Sequence, residues 1–161
     1  MLNRTILPDI DLLKEDIADA FLYKATGKLV YDPPRCGMKN KTTWWAVVEV
    51  DKEITRYYRS WIKTVYGIDL CVPSWDAHIS VIRGEKPTDK LMHLWKKYDG
   101  SIIEFEYRHF PRFNGDTRSV KSSKPGSFWF VDVISPTIKQ IRDELELPSF
   151  WNQHITVGRK W

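Results

Sequence analysis

The chain has little cysteine and no long apolar run, and these two shortages exclude several classes of protein. It contains two cysteines, Cys36 and Cys71, too few for a disulfide scaffold or a cysteine-ligated zinc site. No apolar stretch approaches the roughly 18 residues that a membrane-spanning helix needs. Residues 1–13 include Asp9 and Asp11 and have no long apolar core, so we expect no signal peptide. These features predict a cytoplasmic protein that does not enter a membrane.

The composition is that of a folded domain rich in aromatic residues. Hydrophobic residues make up 42% of the chain and charged residues 29%, which is typical of a globular protein rather than a disordered one. A length of 161 residues favours a single domain over 1–161. Most of the 8 tryptophans, 7 tyrosines and 7 phenylalanines belong in a core, but a few beside basic segments would suit stacking on bases.

The positive charge is concentrated in two segments. The net charge of the chain is +4, and residues 24–41 and 108–126 each carry five cationic side chains against one aspartate. Both segments are rich in glycine, proline, serine and asparagine, which predicts loops. Two interpretations are open: a pair of solvated surface loops, or a pair of loops that hold an anion such as phosphate.

Hydrophobic periodicity predicts helices alternating with strands. Apolar residues recur every three or four positions in four segments, which predicts helices over 9–24, 52–66, 87–98 and 136–146. β-branched and aromatic residues dominate five segments, which predicts strands over 42–50, 77–83, 101–107, 128–134 and 153–159. The expected order is an N-terminal helix and basic loop in 1–41, followed by two units that each begin with a strand, a helix and a second strand.

An internal repeat relates two of the predicted strands. Each copy has Pro-Ser, an aromatic residue, His-Ile-Ser/Thr-Val and an arginine, within residues 73–83 and 148–159. Each copy follows a strand that opens with paired aromatics, Trp44-Trp45 in the first and Phe128-Trp129 in the second. A single His-x-Ser/Thr would be weak evidence of function, but the shared context strengthens it. The alternative interpretation is two half-buried histidines on core strands.

The spacing within the repeat predicts which side chains lie together. Residues two positions apart on a strand point to the same face, so His78 lies beside Ser80, and His154 beside Thr156. Duplicated units usually pack about a pseudo-two-fold axis, as the subunits of symmetric dimers do. We therefore expect the two imidazoles and the two hydroxyls to face one cleft.

These paired motifs resemble those of the 2H phosphoesterase superfamily, whose members carry one His-x-Ser/Thr motif in each of two lobes. The resemblance covers about residues 42–161. It implies an α+β fold with two pseudo-symmetric β-α-β lobes, built on antiparallel sheets around a central cleft, with the first lobe in 42–107 and the second in 108–161. Ser80 stands where threonine is commoner, and it keeps the hydroxyl.

The amino-acid sequence of the repeat is most similar to that of a phage-encoded branch of this superfamily. Some members of that branch cut cyclic oligonucleotide second messengers and so disarm CBASS immunity. The resemblance implies a phosphodiesterase that hydrolyses 3′-5′ bonds of such messengers in the host cytoplasm, with no cofactor and no stable protein partner. Two alternatives stay open. One is an RNA end-processing enzyme, a 2′,3′-cyclic phosphodiesterase or 2′,5′ ligase-like protein acting on short RNA. The other is a non-catalytic nucleotide- or RNA-binding module.

The chemistry of a histidine pair suits a phosphodiester without a metal ion. Histidine titrates near neutral pH, so one neutral imidazole can accept a proton from the nucleophile while one imidazolium protonates the leaving oxygen. The nucleophile is water or a ribose 2′-hydroxyl, and Ser80 and Thr156 would donate hydrogen bonds to the non-bridging oxygens. No carboxylate lies at zinc-ligand spacing from the histidines, so we expect no metal. The sequence leaves open which histidine is the acid.

Several other residues are candidates for secondary roles. Trp75 and Trp151, three residues before each histidine, and Tyr31, in the first basic segment, could stack on a base or lie in the core. Arg83 and Arg159 lie an odd number of residues from their histidines, so strict alternation turns them to the opposite face. That position predicts a structural role for both arginines unless a β-bulge intervenes.

Overall fold

The structure, a computed structural model, describes residue 21 and residues 23–34, 43–75, 77–114, 128–148 and 152–160. The predicted helix over 9–24 lies outside these residues except at its end, where Tyr23 and Lys24 belong to a strand.

Seven strands, two α-helices and a 3-10 helix make up the described part of the chain. The strands are β1 (Tyr23–Tyr31), β2 (Trp45–Glu49), β3 (His78–Arg83), β4 (Ile102–Tyr107), β5 (Arg112–Asn114), β6 (Phe128–Ile134) and β7 (His154–Arg159). The helices are α1 (Lys52–Tyr66) and α2 (Pro136–Glu144), and the 3-10 helix is Asp89–Leu94. Within the described residues, no helix is long and apolar enough to cross a membrane.

Six of these strands form a closed ring, and every pairing among the described strands is antiparallel. The order around the ring is β4-β1-β2-β3-β7-β6, and β6 closes the ring by pairing with β4. The short strand β5 pairs with the opening residues of β6. Two β-α-β units, β2-α1-β3 and β6-α2-β7, meet where β3 pairs with β7. Because both units belong to one ring, the two-lobed architecture with a central cleft stays a prediction.

Both α-helices have the end groups that their sequences supply. Asp51 precedes α1 and its side chain accepts a hydrogen bond from the Glu53 amide, while Gly67 ends the helix in the left-handed conformation with φ of 68°. Ser135 caps α2, and Pro136 occupies its first turn. The predicted helix over 52–66 is confirmed, and the helix predicted over 136–146 ends at Glu144.

A continuous row of buried aliphatic side chains runs across one face of the sheet. Strand pairing aligns Leu29, Val48, Ile79, Ile155 and Val131 side by side across β1, β2, β3, β7 and β6. All five side chains are fully buried. Burying an aliphatic side chain of this size contributes about 1.5–3 kcal/mol. The row therefore fixes which residues of β3 and β7 point away from it.

The two helices pack against this row and define the helix-covered face of the sheet. Ile138 of α2 lies in the same buried cluster as Ile79 and Ile155. Ile62 of α1 lies in the cluster that contains Val131. The alternate residues of β3 and β7 consequently occupy the opposite face, where neither helix lies.

The predicted basic loop over 24–41 is wrong for its first residues, because 24–31 belong to β1. Ala25, Gly27, Leu29 and Tyr31 lie at every second position, on the more buried face of this strand. Gly27 interrupts the apolar pattern in the sequence, and glycine favours the prediction of a loop. Glycine is required there because a Cβ at position 27 would overlap the carbonyl oxygen of Glu49 and the Val48 side chain. Residues 35–41 lie outside the described chain.

Two further predictions need correction. The α-helix predicted over 87–98 is a 3-10 helix followed by turns, because Lys96 adopts a φ of 64° and tertiary hydrogen bonds hold the segment. In that segment the Trp95 indole donates to Asp32, and the Tyr98 hydroxyl donates to Glu144. The basic loop predicted over 108–126 contains strand β5, and its residues 115–126 lie outside the described chain.

We predict that Gly27→Ala destabilises the protein by about 1–3 kcal/mol, because the added methyl group meets backbone atoms of β2 that cannot move aside cheaply. The free energy of unfolding in urea measures this change. The control is Lys28→Ala, an exposed position on the same strand, which should change stability by about 0.5 kcal/mol or less. A Gly27→Ala protein as stable as the wild type would contradict the close approach.

Candidate active site

The face of β3 and β7 opposite the helices borders a cavity of about 420 Å³. Both copies of the repeat contribute to its wall: His78, Ser80 and Arg83 from the first, His154, Thr156 and Arg159 from the second. The four residues predicted to be catalytic therefore lie in one cavity. Trp45, Trp75 and Phe128 add aromatic surface to it.

Strand register explains how the two motifs meet. Ile79 of β3 pairs with Ile155 of β7 in an antiparallel ladder. Extending this register by one residue in each direction places His78 opposite Thr156 and Ser80 opposite His154. The two histidines are then diagonal neighbours, whose α-carbons lie about 7–8 Å apart in such ladders. This separation lets both imidazoles reach a single phosphate group through hydrogen bonds of about 3 Å.

His154 is oriented by the backbone beside it. Its Nδ1 lies 2.9 Å from the carbonyl oxygen of Asn152. A carbonyl only accepts hydrogen bonds, so Nδ1 carries the hydrogen and Nε2 is the nitrogen left for a substrate. The Asn152 side chain donates to Asp132, which pairs with His154 across β6 and β7 and also accepts from Arg112. Sequence reasoning missed this support, since no carboxylate stands near His154 in the chain.

Trp75 braces the other imidazole. Its ring lies parallel to that of His78, with 4.1 Å between the ring centres and 20° between the planes. Trp45 packs on Trp75 from further out, at 6.1 Å. Trp75 thus lines the cavity, and one face of its ring is covered by His78. Its counterpart in the second copy, Trp151, lies outside the described residues.

The prediction that Tyr31 binds the substrate is wrong. Its side chain is 5% exposed and belongs to the buried cluster with Leu29 and Ala46. The ring packs edge-on against Trp95 at 4.9 Å, and burial raises the pKa of the Tyr31 hydroxyl. Tyr31 points into the core because it continues the alternation of β1 rather than lying in a loop.

A β-bulge brings each arginine of the repeat into the cavity. The pairing of β2 with β3 shifts by one residue after Ala46, which leaves Val81 outside the ladder. The pairing of β6 with β7 shifts in the same way after Trp129 and leaves Val157 outside. An extra residue reverses the alternation that follows it. The expectation that Arg83 and Arg159 point away from the histidines is therefore wrong.

The two arginines have matching aromatic neighbours. Arg83 pairs with Trp45 across the strands, and its guanidinium lies 5.6 Å from the centre of that indole. Arg159 pairs with Phe128 in the same way, at 5.1 Å. The structural repeat thus aligns Trp45 with Phe128, one residue later than the predicted alignment of Trp44 with Phe128.

Each bulge is held by an arginine from the helix of the other unit. Arg142 of α2 donates to the Val81 carbonyl at 2.8 Å, and Arg59 of α1 donates to the Val157 carbonyl at 2.9 Å. A bulge takes a carbonyl out of the regular ladder, so a donor from outside the sheet is needed to satisfy it. Each helix therefore helps to shape the motif strand of the opposite unit.

Arg142 is itself paired with a carboxylate. Its side chain is 3% exposed, and it donates two hydrogen bonds of 2.8 Å to Glu85. These hydrogen bonds hold the pKa of the Glu85 carboxyl below its ordinary value. A planar guanidinium matches the two oxygens of one carboxylate, which makes this the strong form of the pair.

Arg159, the arginine that follows the second motif, is also held through its backbone. Arg159 and Cys71 exchange two backbone hydrogen bonds, of 2.7 and 3.0 Å. Cys71 lies in the segment that joins α1 to β3, so this segment of the first unit borders the end of β7. The segment also supplies Pro73 and Ser74 to the cavity wall.

Four of the ten cationic residues of the predicted basic loops lie in the described chain: Lys24, Lys28, Arg108 and Arg112. Of their described residues, none lines this cavity, although Arg112 lines a neighbouring one. Among the described residues, Arg83 and Arg159 supply the fixed positive charge of this cavity. The other described histidines lie elsewhere: His93 is exposed on the 3-10 helix, and His109 bonds the Tyr23 hydroxyl.

Metal-ligating residues do not gather in the part of the chain that the structure describes. No group of three or more histidine, cysteine, aspartate or glutamate side chains there is arranged to hold a metal ion. Comparisons with protein-family models, curated proteins and solved structures found no significant match to the chain.

We predict that Glu85→Gln lowers the free energy of unfolding at pH 7 by about 1–3 kcal/mol, less than for a fully buried pair because Glu85 is partly exposed. The pKa of Glu85 is lower in the folded state, so its contribution is complete above the unfolded pKa and is lost as the pH falls through the folded one. The difference between wild type and variant should shrink below about pH 4.5. Urea unfolding at several pH values measures it, and a difference independent of pH would contradict the ion pair.

Proposed function

We propose that this protein is a metal-independent phosphodiesterase that uses His78 and His154 as a general acid and base. The observation that carries the proposal is the pairing of Ile79 with Ile155, which brings two His-x-Ser/Thr motifs from distant parts of the chain into one cavity. Two titratable rings and two hydroxyl donors around a single point match the needs of a phosphoryl transfer.

The reaction divides between the two imidazoles. The neutral imidazole accepts the proton of the nucleophile, water or a ribose 2′-hydroxyl, as the new bond to phosphorus forms. The imidazolium gives its proton to the leaving oxygen as the old bond breaks. One proton is taken up and one is released, so the pair ends with the roles exchanged and returns to its starting state through solvent. His154 acts through Nε2, since Nδ1 is held by Asn152.

The remaining polar groups hold the phosphate. Ser80 and Thr156 line the cavity beside the histidines. In this mechanism they donate to the two non-bridging oxygens, where negative charge stays during the reaction. Arg83 and Arg159 add a permanent positive charge on each side, which favours capture of an anion. Because the arginines sit on aromatic rings, their side chains keep few rotamers and are set before the substrate arrives.

The substrate class that we propose is a cyclic oligonucleotide second messenger, cut at a 3′-5′ phosphodiester bond, as part of phage evasion of host immunity. The two arginine–aromatic pairs favour this class because they offer equivalent contacts on both sides of the scissile phosphate. A messenger with nucleotides on both sides uses both contacts, whereas a terminal 2′,3′-cyclic phosphate of an RNA uses one. Mass spectrometry of products from cyclic di- and trinucleotides and short RNAs separates these substrates.

We predict that His78→Ala and His154→Ala each lower kcat by about 10²–10⁴-fold, because each removes one proton-transfer step. The double variant should lose far less than the product of the two factors, since one partner cannot complete the reaction alone. Ser80→Ala and Thr156→Ala should cost about 10- to 10³-fold through lost transition-state hydrogen bonds. Steady-state rates with and without EDTA, measured from pH 5 to 9, should show a bell-shaped profile that chelation does not change.

The matched control for these variants is His93→Ala, which removes an exposed histidine from the 3-10 helix and should leave the rate unchanged. Full activity after loss of both His78 and His154 would refute the mechanism. Activity that disappears with EDTA and returns with zinc would refute it as well.

We predict that Arg83→Gln and Arg159→Gln raise KM by about 5- to 50-fold and lower kcat less, because the arginines bind the anion outside the reacting atoms. The wild-type KM should rise with salt, and both variants should show a weaker salt dependence. Lys139→Gln, on the exposed surface of α2, is the control for a general loss of charge. A KM unchanged in both variants would remove the arginines from substrate binding.

A further inference from the structure

A second cavity of about 380 Å³ adjoins the active site on the side of His154. Phe128 and His154 line both cavities and form the wall between them. A ligand with its phosphate between the two histidines can therefore extend past His154 into this second space, which we call the side cavity. Its size lies near the lower limit of small-molecule sites, which run from about 300 to 1,000 Å³.

The wall of the side cavity combines aromatic rings with amide groups. Phe128 and Phe130 lie 5.8 Å apart between ring centres, and the Arg112 guanidinium lies 5.4 Å from the centre of the Phe130 ring. Asn114 and Asn152 bring side-chain amides, each of which both donates and accepts hydrogen bonds. Rings and a guanidinium plane suit the flat face of a nucleobase, and amides suit its polar edge.

The described residues at the equivalent place of the first unit are different. When the two units are aligned by their strand registers, Val47 of β2 takes the position of Phe130 in β6. Val30, which pairs with Val47, then takes the position of Arg112, which pairs with Phe130. Val47 is fully buried in this position, so a small aliphatic contact replaces the aromatic wall. The phosphate-binding part of the site is thus nearly symmetric, but its surroundings are not.

Protein groups occupy the place that corresponds to Asn114. The Asp32 amide donates to the Trp45 carbonyl, and Asn114 pairs with Phe128 between β5 and β6, so Asp32 is the equivalent of Asn114. The Asp32 carboxylate accepts hydrogen bonds from the Trp44 amide at 2.8 Å and from the Trp95 indole at 3.1 Å. These hydrogen bonds hold the 3-10 segment against the first unit, and both oxygens of the Asp32 carboxylate have donors from the protein.

We propose that the side cavity binds one nucleobase of the substrate, the base on the His154 side of the scissile phosphate. This inference rests on the proposed phosphodiesterase function. A pseudo-symmetric histidine pair by itself accepts a substrate in either direction, whereas a base site on one side fixes the direction. Each histidine then keeps one role in every turnover, and the products have a single polarity.

Two linear ribodinucleotides with one abasic residue each test the proposal, one lacking the 5′ base and the other lacking the 3′ base. For the wild type, removal of one base should raise KM by about 10- to 100-fold, the range that stacking on aromatic groups supports, and removal of the other base should have a much smaller effect. Equal losses from the two substrates would overturn the proposal.

Asn114→Trp should fill the side cavity, and Asn114→Ala should remove one of its amides. Both variants should raise KM for the intact dinucleotide and reduce the difference between the two abasic substrates, with kcat little changed. Ile102→Trp adds the same ring at an exposed strand position outside the side cavity and should behave as the wild type. A difference that persists in Asn114→Trp would also overturn the proposal.

The failure of the proposed function gives a different result. In that case the wild type cleaves neither cyclic dinucleotides nor the intact and abasic linear dinucleotides. Calorimetric titration with a nucleoside 5′-monophosphate then tests the side cavity directly, because it needs no turnover. Binding should be at least about 10-fold weaker in Asn114→Trp than in the wild type and Ile102→Trp. Equal affinity in all three proteins would overturn the base site.

Discussion

The geometry of the site depends on two β-bulges, each fastened by an arginine of the opposite unit. Arg142 and Arg59 bind the carbonyls of Val81 and Val157, the residues that the ladders leave out. Without the extra residue, the arginine that follows each motif would turn to the helix-covered face and meet buried aliphatic side chains. One local irregularity, used twice, therefore places a permanent charge beside each histidine. The crossed supports also mean that neither unit has a complete site without the other.

Local patterns predicted the elements that carry the motifs, because their information lies in neighbouring residues. The helix over 52–66 and the strand over 128–134 follow from periodicity and end groups alone. The strand β1 was hidden because Gly27, required by the close approach of β2, has the appearance of a loop residue. The direction of Arg83 depended on a bulge whose support comes from Arg142, 59 residues later in the chain. Long-range contacts of this kind leave no trace in a local pattern.

The parts of the repeat that match between the two units lie in a different place from the parts that do not. The matched parts, from the register of Ile79 with Ile155 to the two arginine–aromatic pairs, surround the position proposed for the phosphate. The unmatched parts lie further out, where Trp95 and Asp32 close the first unit and Phe130 lines a space in the second. A phosphate with two equivalent oxygens suits a symmetric site, while a nucleotide chain has direction. Under the proposed function, the matched parts would hold the phosphate and the unmatched parts would distinguish the two directions of the chain.

The position of β7 sets the order in which the molecule can assemble. It is the last described strand along the chain, yet it lies in the interior of the sheet, between β3 and β6. Until it is in place, both of those strands expose an unsatisfied edge, and the Arg59 side chain lacks the Val157 carbonyl. During synthesis the ring therefore closes only after β7 has left the ribosome. Before that, the unpaired edges of β3 and β6 can pair with strands of other chains. Chaperone contact at that stage would protect both edges, including that of β3, which carries the first motif.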